Sequence, residues 1–372
     1  MRKLILAGFL LAGCGTTHRA VKTPAVSSLQ FVQKYIVPHN MPFNGTTVGG
    51  LSGIDYDSAG KVFYLICDDR SERQPARFYT AKVPVTGNAA DSVIFTDVTS
   101  LRMPDGNVYP KIKTQAPDPE AMRYNPHSGT LIWSGEGERI VNKKDTILND
   151  PNITEINKDG RFAGSFPVPS FFHMKATENG PRRNGGFEGL GLTPDGRYLF
   201  VSLEEPRYED GPRAGLTDTT AYVRILKYDL HTRQAIAQYA YKLDPVAHPA
   251  VPAGEFLING ISDILVLSET QLLVMERSFS TGVKDCTIRV YITDLSPASN
   301  VSRYSSLQAT KKFTPAQKKL LFNFETLHTY IDNIEGVTFG PRFPDGSRSL
   351  IFVADNNFEK KEETQFYIFK IQ

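Results

Sequence analysis

The chain has little cysteine, few histidines and almost no net charge, and each shortage excludes a class of protein. Three cysteines in 372 residues cannot make a disulfide framework. Cys67 sits within "VFYLIC" and reads as a small buried hydrophobe, so it and Cys286 are expected to be free thiols. The seven histidines are scattered, with no His-Glu-x-x-His motif and no compact cluster to suggest zinc. No glycine-rich phosphate cradle leads from a strand into a helix. Ser52 in "GGLSGI" lacks the glycine spacing of a nucleophile elbow. With 42 Lys and Arg against 40 Asp and Glu, no basic field exists to recruit nucleic acid, and none is expected as a partner.

The apolar run from Leu4 to Leu11 is too short to cross a bilayer. It follows Arg2 and Lys3 and precedes Ala12, Gly13 and Cys14, the order of a secretory signal. "LAGC" resembles a bacterial lipoprotein lipobox. That resemblance implies removal of residues 1–13, lipid on Cys14 and a polar tether over 14–28. The bilayer is then a partner, and the location is the extracytoplasmic side of the bacterial envelope. A plain secretory signal with an incidental cysteine is the alternative. Two of the 42 basic residues, Arg2 and Lys3, leave with the signal, so the remaining 40 balance the 40 acids.

What the chain does have is a long repeat. "GGLSGIDYDSAGKVFYLICDD" from Gly49 is matched by "DPEAMRYNPHSGTLIWSGEGE" from Asp118 and "GGFEGLGLTPDGRYLFVSLEE" from Gly185. "NGISDILVLSETQLLVMERS" from Asn259 and "DNIEGVTFGPRFPDGSRSLIFVADNN" from Asp332 complete the set. Each reads as two strands joined by a polar turn. Aligning the starts gives Ser52, Glu120, Glu188, Asp263 and Glu335, at intervals of 68, 68, 75 and 72 residues. Short β-patterned runs repeating over such a period predict an all-β propeller. Further strand-like runs follow each hairpin, and only the fifth repeat is short of one. "LQFVQKYIVP", residues 29–38, is the expected donor, closing the ring and removing exposed sheet edges. The reading is five four-stranded blades in one domain over 29–372, with six blades open if two repeats are merged. Residues 311–333 have a helical alternative, with Pro315 at an early position.

In a blade of antiparallel strands the first strand starts beside the end of the second. Acids at these ends therefore converge on one mouth of the ring. The strand ends carry Asp68 with Asp69, Glu136 with Glu138, Glu204 with Glu205, Glu276, and Asp355. Carboxylates crowded in a channel repel one another unless a cation offsets them, and a hard cation with oxygen ligands, calcium above all, suits them. The expected metal ligands are Asp68, Asp69, Glu120, Glu136, Glu188, Glu204, Asp263, Glu276, Glu335 and Asp355. Glu120, Glu188 and Glu335 are also the candidates for a catalytic base. Arg70, Arg139, Arg207 and Arg277 follow the acidic ends and are expected to meet an anionic substrate, with His173 and Lys175 reaching in from a long loop. The competing reading is that these acids cap backbone amides and fasten neighbouring blades.

Taken together, "GLSGIDYD", "PDPEAMRYNP", "GGFEGLGLTPDGRYLFVSLEEP", the segment 261–263 and "NIEGVTFGPRFPDGSRSLIFVADNNF" resemble the phytase-like family, described by esterase-like activity of phytase. The resemblance runs from about Gly49 to the end. It implies a secreted or envelope propeller that hydrolyses phosphate or other esters of a small anionic substrate, and it transfers no proven catalytic residue. A monomer is expected. The rival readings are a non-catalytic binding propeller and a calcium-dependent lactonase-like hydrolase.

Overall fold

β1 (Leu29–Val37) is followed by a small hairpin of β2 (Pro42–Phe43) and β3 (Thr46–Thr47), after which five sheets succeed one another. These elements come from a computed structural model that describes residues 26–87, 91–217, 220–310 and 312–372. The signal segment, Cys14 and most of the tether lie outside the described residues. Blade 1 is β4 (Leu51–Asp57), β5 (Val62–Cys67), β6 (Arg77–Lys82) and β7 (Ile94–Ser100). Blade 2 starts with β8 (Pro119–Asn125) and β9 (Thr130–Gly135). An inserted hairpin of β10 (Glu138–Val141) and β11 (Thr146–Asn149) precedes its outer strands, β12 (Asn152–Ile156) and β13 (Phe162–Ser165). Blade 3 is β14 (Phe187–Leu192), β15 (Tyr198–Leu203), β16 (Tyr222–Asp229) and β17 (Ala235–Lys242). Blade 4 is β18 (Leu257–Val266), β19 (Gln271–Ser280), β20 (Thr287–Asp294) and β21 (Gln317–Asn323). Blade 5 is β22 (Asn333–Arg342), β23 (Arg348–Asp355) and β24 (Thr364–Ile371), completed by β1.

The protein is therefore a five-bladed β-propeller. β1 pairs antiparallel with β24 from Leu29↔Ile371 to Val37↔Thr364, so the first strand closes the last blade as its sequence suggests. The helical alternative for 311–333 gives way to β21 and a single 3-10 turn, Phe324–Leu327. Cys67 and Cys286 are buried free thiols. Among the described residues no helix is long and apolar enough to cross a membrane.

The second strand of each blade is a nearly unbroken apolar run because both of its faces are covered. "VFYLIC", "TLIWSG" and "YLFVSL" each bury five of six residues. The apolar side chains form one cluster at every blade interface. The cluster holding Leu51, Leu65, Ile351 and Phe366 joins blades 1 and 5 and shuts the ring. Full burial of such side chains stabilises by roughly 1.5–3 kcal/mol each, so the ring is held by its interfaces rather than by one central core.

Each inner strand also carries a bulge near its start, between Leu51 and Gly53, Pro119 and Met122, Phe187 and Leu190, Ile261 and Asp263, and Ile334 and Gly336. The residue after the bulge is small in four blades, because here the inner strands converge. A Cβ on Gly53 would lie 2.9 Å from Ala121 Cα, and one on Gly189 would lie 2.8 Å from Ile264 N. The fifth such position is Asp263. It meets Arg123 on the propeller axis, its oxygens accepting from Nη2 at 2.8 and 2.6 Å. Arg123 also donates to the carbonyls of Ile54, Leu190 and Ile264, and Val337 N donates to Asp263. One buried ion pair thus touches the inner strands of all five blades.

Candidate functional site at the acidic mouth

β4, β8, β14, β18 and β22 all start on one face of the disc, and their partners β5, β9, β15, β19 and β23 end there. The rim residues follow from the register. Asp68 N donates to Gly50 O, Glu136 N to Asp118 O and Glu204 N to Gly186 O, while Arg277 pairs with Gly260 and Asp355 with Asn333. The rim is therefore Asp68, Glu136, Glu204, Arg277 and Asp355, four acids and one cation. The bulged positions just inside are Ser52, Glu120, Glu188, Ser262 and Glu335.

The fourth blade corrects the sequence alignment by one residue. Asp263 pairs with Met275 and is spent on Arg123, away from the mouth. Glu276 pairs with Ile261 and turns toward blade 3, accepting from Tyr241 Oη, Asp244 N, Asn259 Nδ2 and Lys318. Asp69 likewise faces its own loop, where it caps the amides of Glu72, Arg73 and Gln74 and pairs with Arg77.

The mouth opens into a cavity of about 710 Å³ lined by Asp68, Asp118, Glu120, Glu136, Glu188, Glu204 and Glu335, among others. Two sets of three carboxylates each offer oxygens within 4.8 Å of one another: Asp118, Glu120 and Glu136, then Glu136, Glu188 and Glu204. Glu136 belongs to both. Its Oε1 accepts from Gly186 N at 3.0 Å. The carbonyls of Glu120 and Glu188 accept from Ser52 Oγ and Ser134 Oγ, but among the described residues neither carboxylate has a hydrogen bond or ion pair, although Glu188 is buried. Asp118 is 4 % exposed, and its Oδ2 has no partner.

Burial first, and the neighbouring carboxylates second, push Glu120, Glu136 and Glu188 well above the usual carboxylate range. Burial raises Asp118 to about 8 against the opposing pull of Arg70. Glu335 is also raised to about 8 by burial, opposed by Arg277, and Asp68 to about 6. Cations stand among the acids. Arg277 Nη2 lies 2.5 Å from Glu204 and 3.9 Å from Glu335, and Arg70 bridges Asp118 at 2.5 Å and Glu138 at 3.1 Å.

The folded chain thus keeps protons that the unfolded chain, with ordinary carboxyls, has already released. Such groups make stability fall as pH rises from the ordinary carboxyl range to about 8. In the presence of a chelator the melting temperature is expected to drop between pH 5 and 8 by several degrees on the order-of-magnitude relation between stability and Tm, as differential scanning fluorimetry will read. A binding cation should cancel most of the drop.

Of the cations expected at the site, Arg70 and Arg277 line the cavity. The other four expected basic residues do not. Arg139 donates to the carbonyls of Lys175, Ala176 and Thr177. Arg207 is buried against Asp210 and the carbonyls of Phe171 and Ser305. His173 is exposed and bonds Val168 O, and Lys175 is exposed. Asp355 stays on the rim, accepting from Asn357 N. The cavity adds residues that sequence reasoning passed over: Asp118, Arg183, Arg213, Lys284 and Asn333. Only Asp118 carried a usable signal, since it lies directly across from Glu136 once the strands are paired.

Residues 46–358 match the Phytase-like family, whose description is esterase-like activity of phytase. The chain belongs to this family. The match spans this Phytase-like propeller from the β2–β3 hairpin to the loop after β23. No curated protein matches it. Among solved structures, the periplasmic gluconolactonase PpgL of Pseudomonas aeruginosa is 11% identical with a TM-score of 0.38, the alignment covering 88% of this chain and 90% of that one. A gluconolactonase from Xanthomonas campestris is 9% identical with a TM-score of 0.35, covering 87% of each chain. A protein of unknown function from Dyadobacter fermentans is 9% identical with a TM-score of 0.39, covering 93% of this chain and 100% of that one. Likeness at this level says nothing about the chemistry at this mouth.

Proposed function

We propose that this Phytase-like propeller is a metal-assisted hydrolase of small anionic esters, phosphate esters first, working at the acidic mouth. The carrying observation is the pair of carboxylate triads sharing Glu136. Within them, among the described residues, no group donates a hydrogen bond to the carboxylates of Glu120 and Glu188, which feel Arg70 and Arg277 only through space. A purely structural role would have paired these side chains, as it has paired Asp69, Asp263 and Glu276. The donors fit a hard divalent cation, since all are carboxylate oxygens and the Oδ2 atom of buried Asp118 has no partner. Asp118, Glu120, Glu136, Glu188 and Glu204 would hold it, and calcium is the ion that suits such a site outside the cytoplasm. When bound, such a cation supplies Lewis acidity toward the ester oxygen and an attacking water.

The remaining roles fall to the chain itself. Arg277 and Arg70 present fixed positive charge at the mouth and orient the anionic group of the substrate. Glu335, hydrogen-bonded through Oε1 to Asn333 Nδ2 at 2.8 Å, is pushed up to about 8 by burial against the pull of Arg277, and so is suited to exchange a proton near neutral pH. The lipobox-like "LAGC" supports anchoring through Cys14 at the bacterial envelope. Replacing Cys14 with Ser should move the protein from the membrane pellet to the soluble fraction, as cell fractionation will show.

The test is calorimetric titration of chelator-stripped protein with calcium, then a panel of phosphomonoesters, phosphodiesters, carboxylic esters and lactones. Calcium binding with turnover of a phosphate ester that chelation abolishes is the expected result. Turnover confined to lactones reassigns the bond. Binding of an anionic ligand without turnover of any ester makes the protein a binder.

A further inference from the structure

We propose that the substrate at this mouth carries an apolar organic group, aryl or acyl in size, that lies on a wall supplied by blade 4. The inference rests on the reading of the mouth as a site for anionic esters and narrows it to a substrate class.

β18 and β19 are ten residues each, the longest inner pair, and only the first strand of blade 5 equals them. Their extra length stands beyond the rim. The rim pair is Gly260↔Arg277, and Asn259↔Ser278, Ile258↔Phe279 and Leu257↔Ser280 continue past it. The period of two divides the overhang into two faces. Asn259, Ser278 and Ser280 face the blade 3 side, where they bond Asp244 O, Ala247 N and His248 O. The opposite face puts Ile258, Arg277 and Phe279 into the cavity lining, together with Phe256 from the preceding loop.

This wall is apolar, next to a floor of carboxylates. Phe256 and Phe279 have ring centroids 6.3 Å apart, and Phe256 is 50% exposed. Phe279 packs in part on the blade 4–5 core, whereas the half-exposed Phe256 ring belongs to no core cluster among the described residues and lies on the cavity lining, where a ligand would bury it. The charges beside it match an anion. Arg277 stands at the base of the wall. Lys284, on the turn that follows, has no carboxylate within ion-pair distance among the described residues, and its Nζ rests over the Tyr330 ring at 4.8 Å. A ligand with a charged head between Arg277 and Lys284 and a flat apolar tail across Phe256, Ile258 and Phe279 satisfies both surfaces. A uniformly charged polyanion leaves the wall wet.

Benzylphosphonate and methylphosphonate test this without depending on hydrolysis, since neither has a cleavable ester bond. Titrated calorimetrically into the full chain in calcium, benzylphosphonate is expected to bind about tenfold tighter, equivalent to about 1.4 kcal/mol. Phe256→Ser should erase that preference and leave methylphosphonate affinity unchanged. Phe279→Ala, closer to the rim, should lower benzylphosphonate affinity at least as much. Equal affinity of the two phosphonates, or a preference that survives both substitutions, overturns the inference. Absence of ester turnover with the preference intact would count against the hydrolase reading alone.

Discussion

Replacing Glu136 with Gln is expected to weaken calcium binding by about a hundredfold or more, at or beyond the upper end of what losing even an outer-shell partner of a metal ligand costs, and to reduce turnover in step. Glu136 is the carboxylate common to both triads, so no other single change removes as much. The amide keeps an oxygen for Gly186 N, the one hydrogen bond this side chain accepts among the described residues, so the fold is preserved. Stability then separates a cation site from a structural cluster. In chelator the substitution deletes one of several mutually repelling acids, and the melting temperature should rise. In calcium it should fall relative to wild type. If Glu136 were simply a fastener, the variant would be less stable in both conditions, and turnover would not change.

The second large effect concerns the axis. Arg123→Met should destabilise the protein by about 3–5 kcal/mol, the cost of leaving a buried partner charge uncompensated. Asp263 would keep its place on the axis with only the backbone amides of Ile264 and Val337 to stabilise it. Because Arg123 also satisfies carbonyls from three other blades, the loss should appear as one cooperative shift of the whole unfolding curve in urea. The double change Arg123→Met with Asp263→Leu removes both charges, and should recover part of the loss. A single variant that unfolds at the wild-type midpoint would show that packing at the blade interfaces alone centres the ring.

The blade count and the donor of the closing strand were legible in the sequence because they depend on local signals. Apolar runs between polar turns mark each hairpin, and residues 29–38 are the strand-like run left over. The bulged positions were legible wherever the residue after the bulge is small, as in "SGI", "EAM", "EGL" and "EGV", three of which carry an acid. They were misassigned in blade 4, where Asp263 stands in the small-residue position and so mimics the acid of the other repeats. A bulge shifts facing by one residue without any mark in composition, and only the pairing Ile261↔Glu276 then Asp263↔Met275 reveals it. The same slip hid the rim position of Arg277. Arg139 and Arg207 were legible as cations but not as buried or loop-bound ones, because their backbone partners at 175–177, 171 and 305 come from distant chain, even though Asp210 lies only three residues from Arg207. The inserted β10–β11 hairpin has no counterpart in the other repeats, so the repeat could not announce it.

The bridge formed by Arg123 and Asp263 makes the centre of the ring a floor. For the hydrolase proposed at this mouth, reactant and product would share a single doorway, and an anionic product leaving past Arg277 and Arg70 would compete with the next incoming molecule for the same cations. Progress curves that slow long before the reactant is spent, and quicken when the released anion is scavenged, are the kinetic trace such a dead-end chamber leaves.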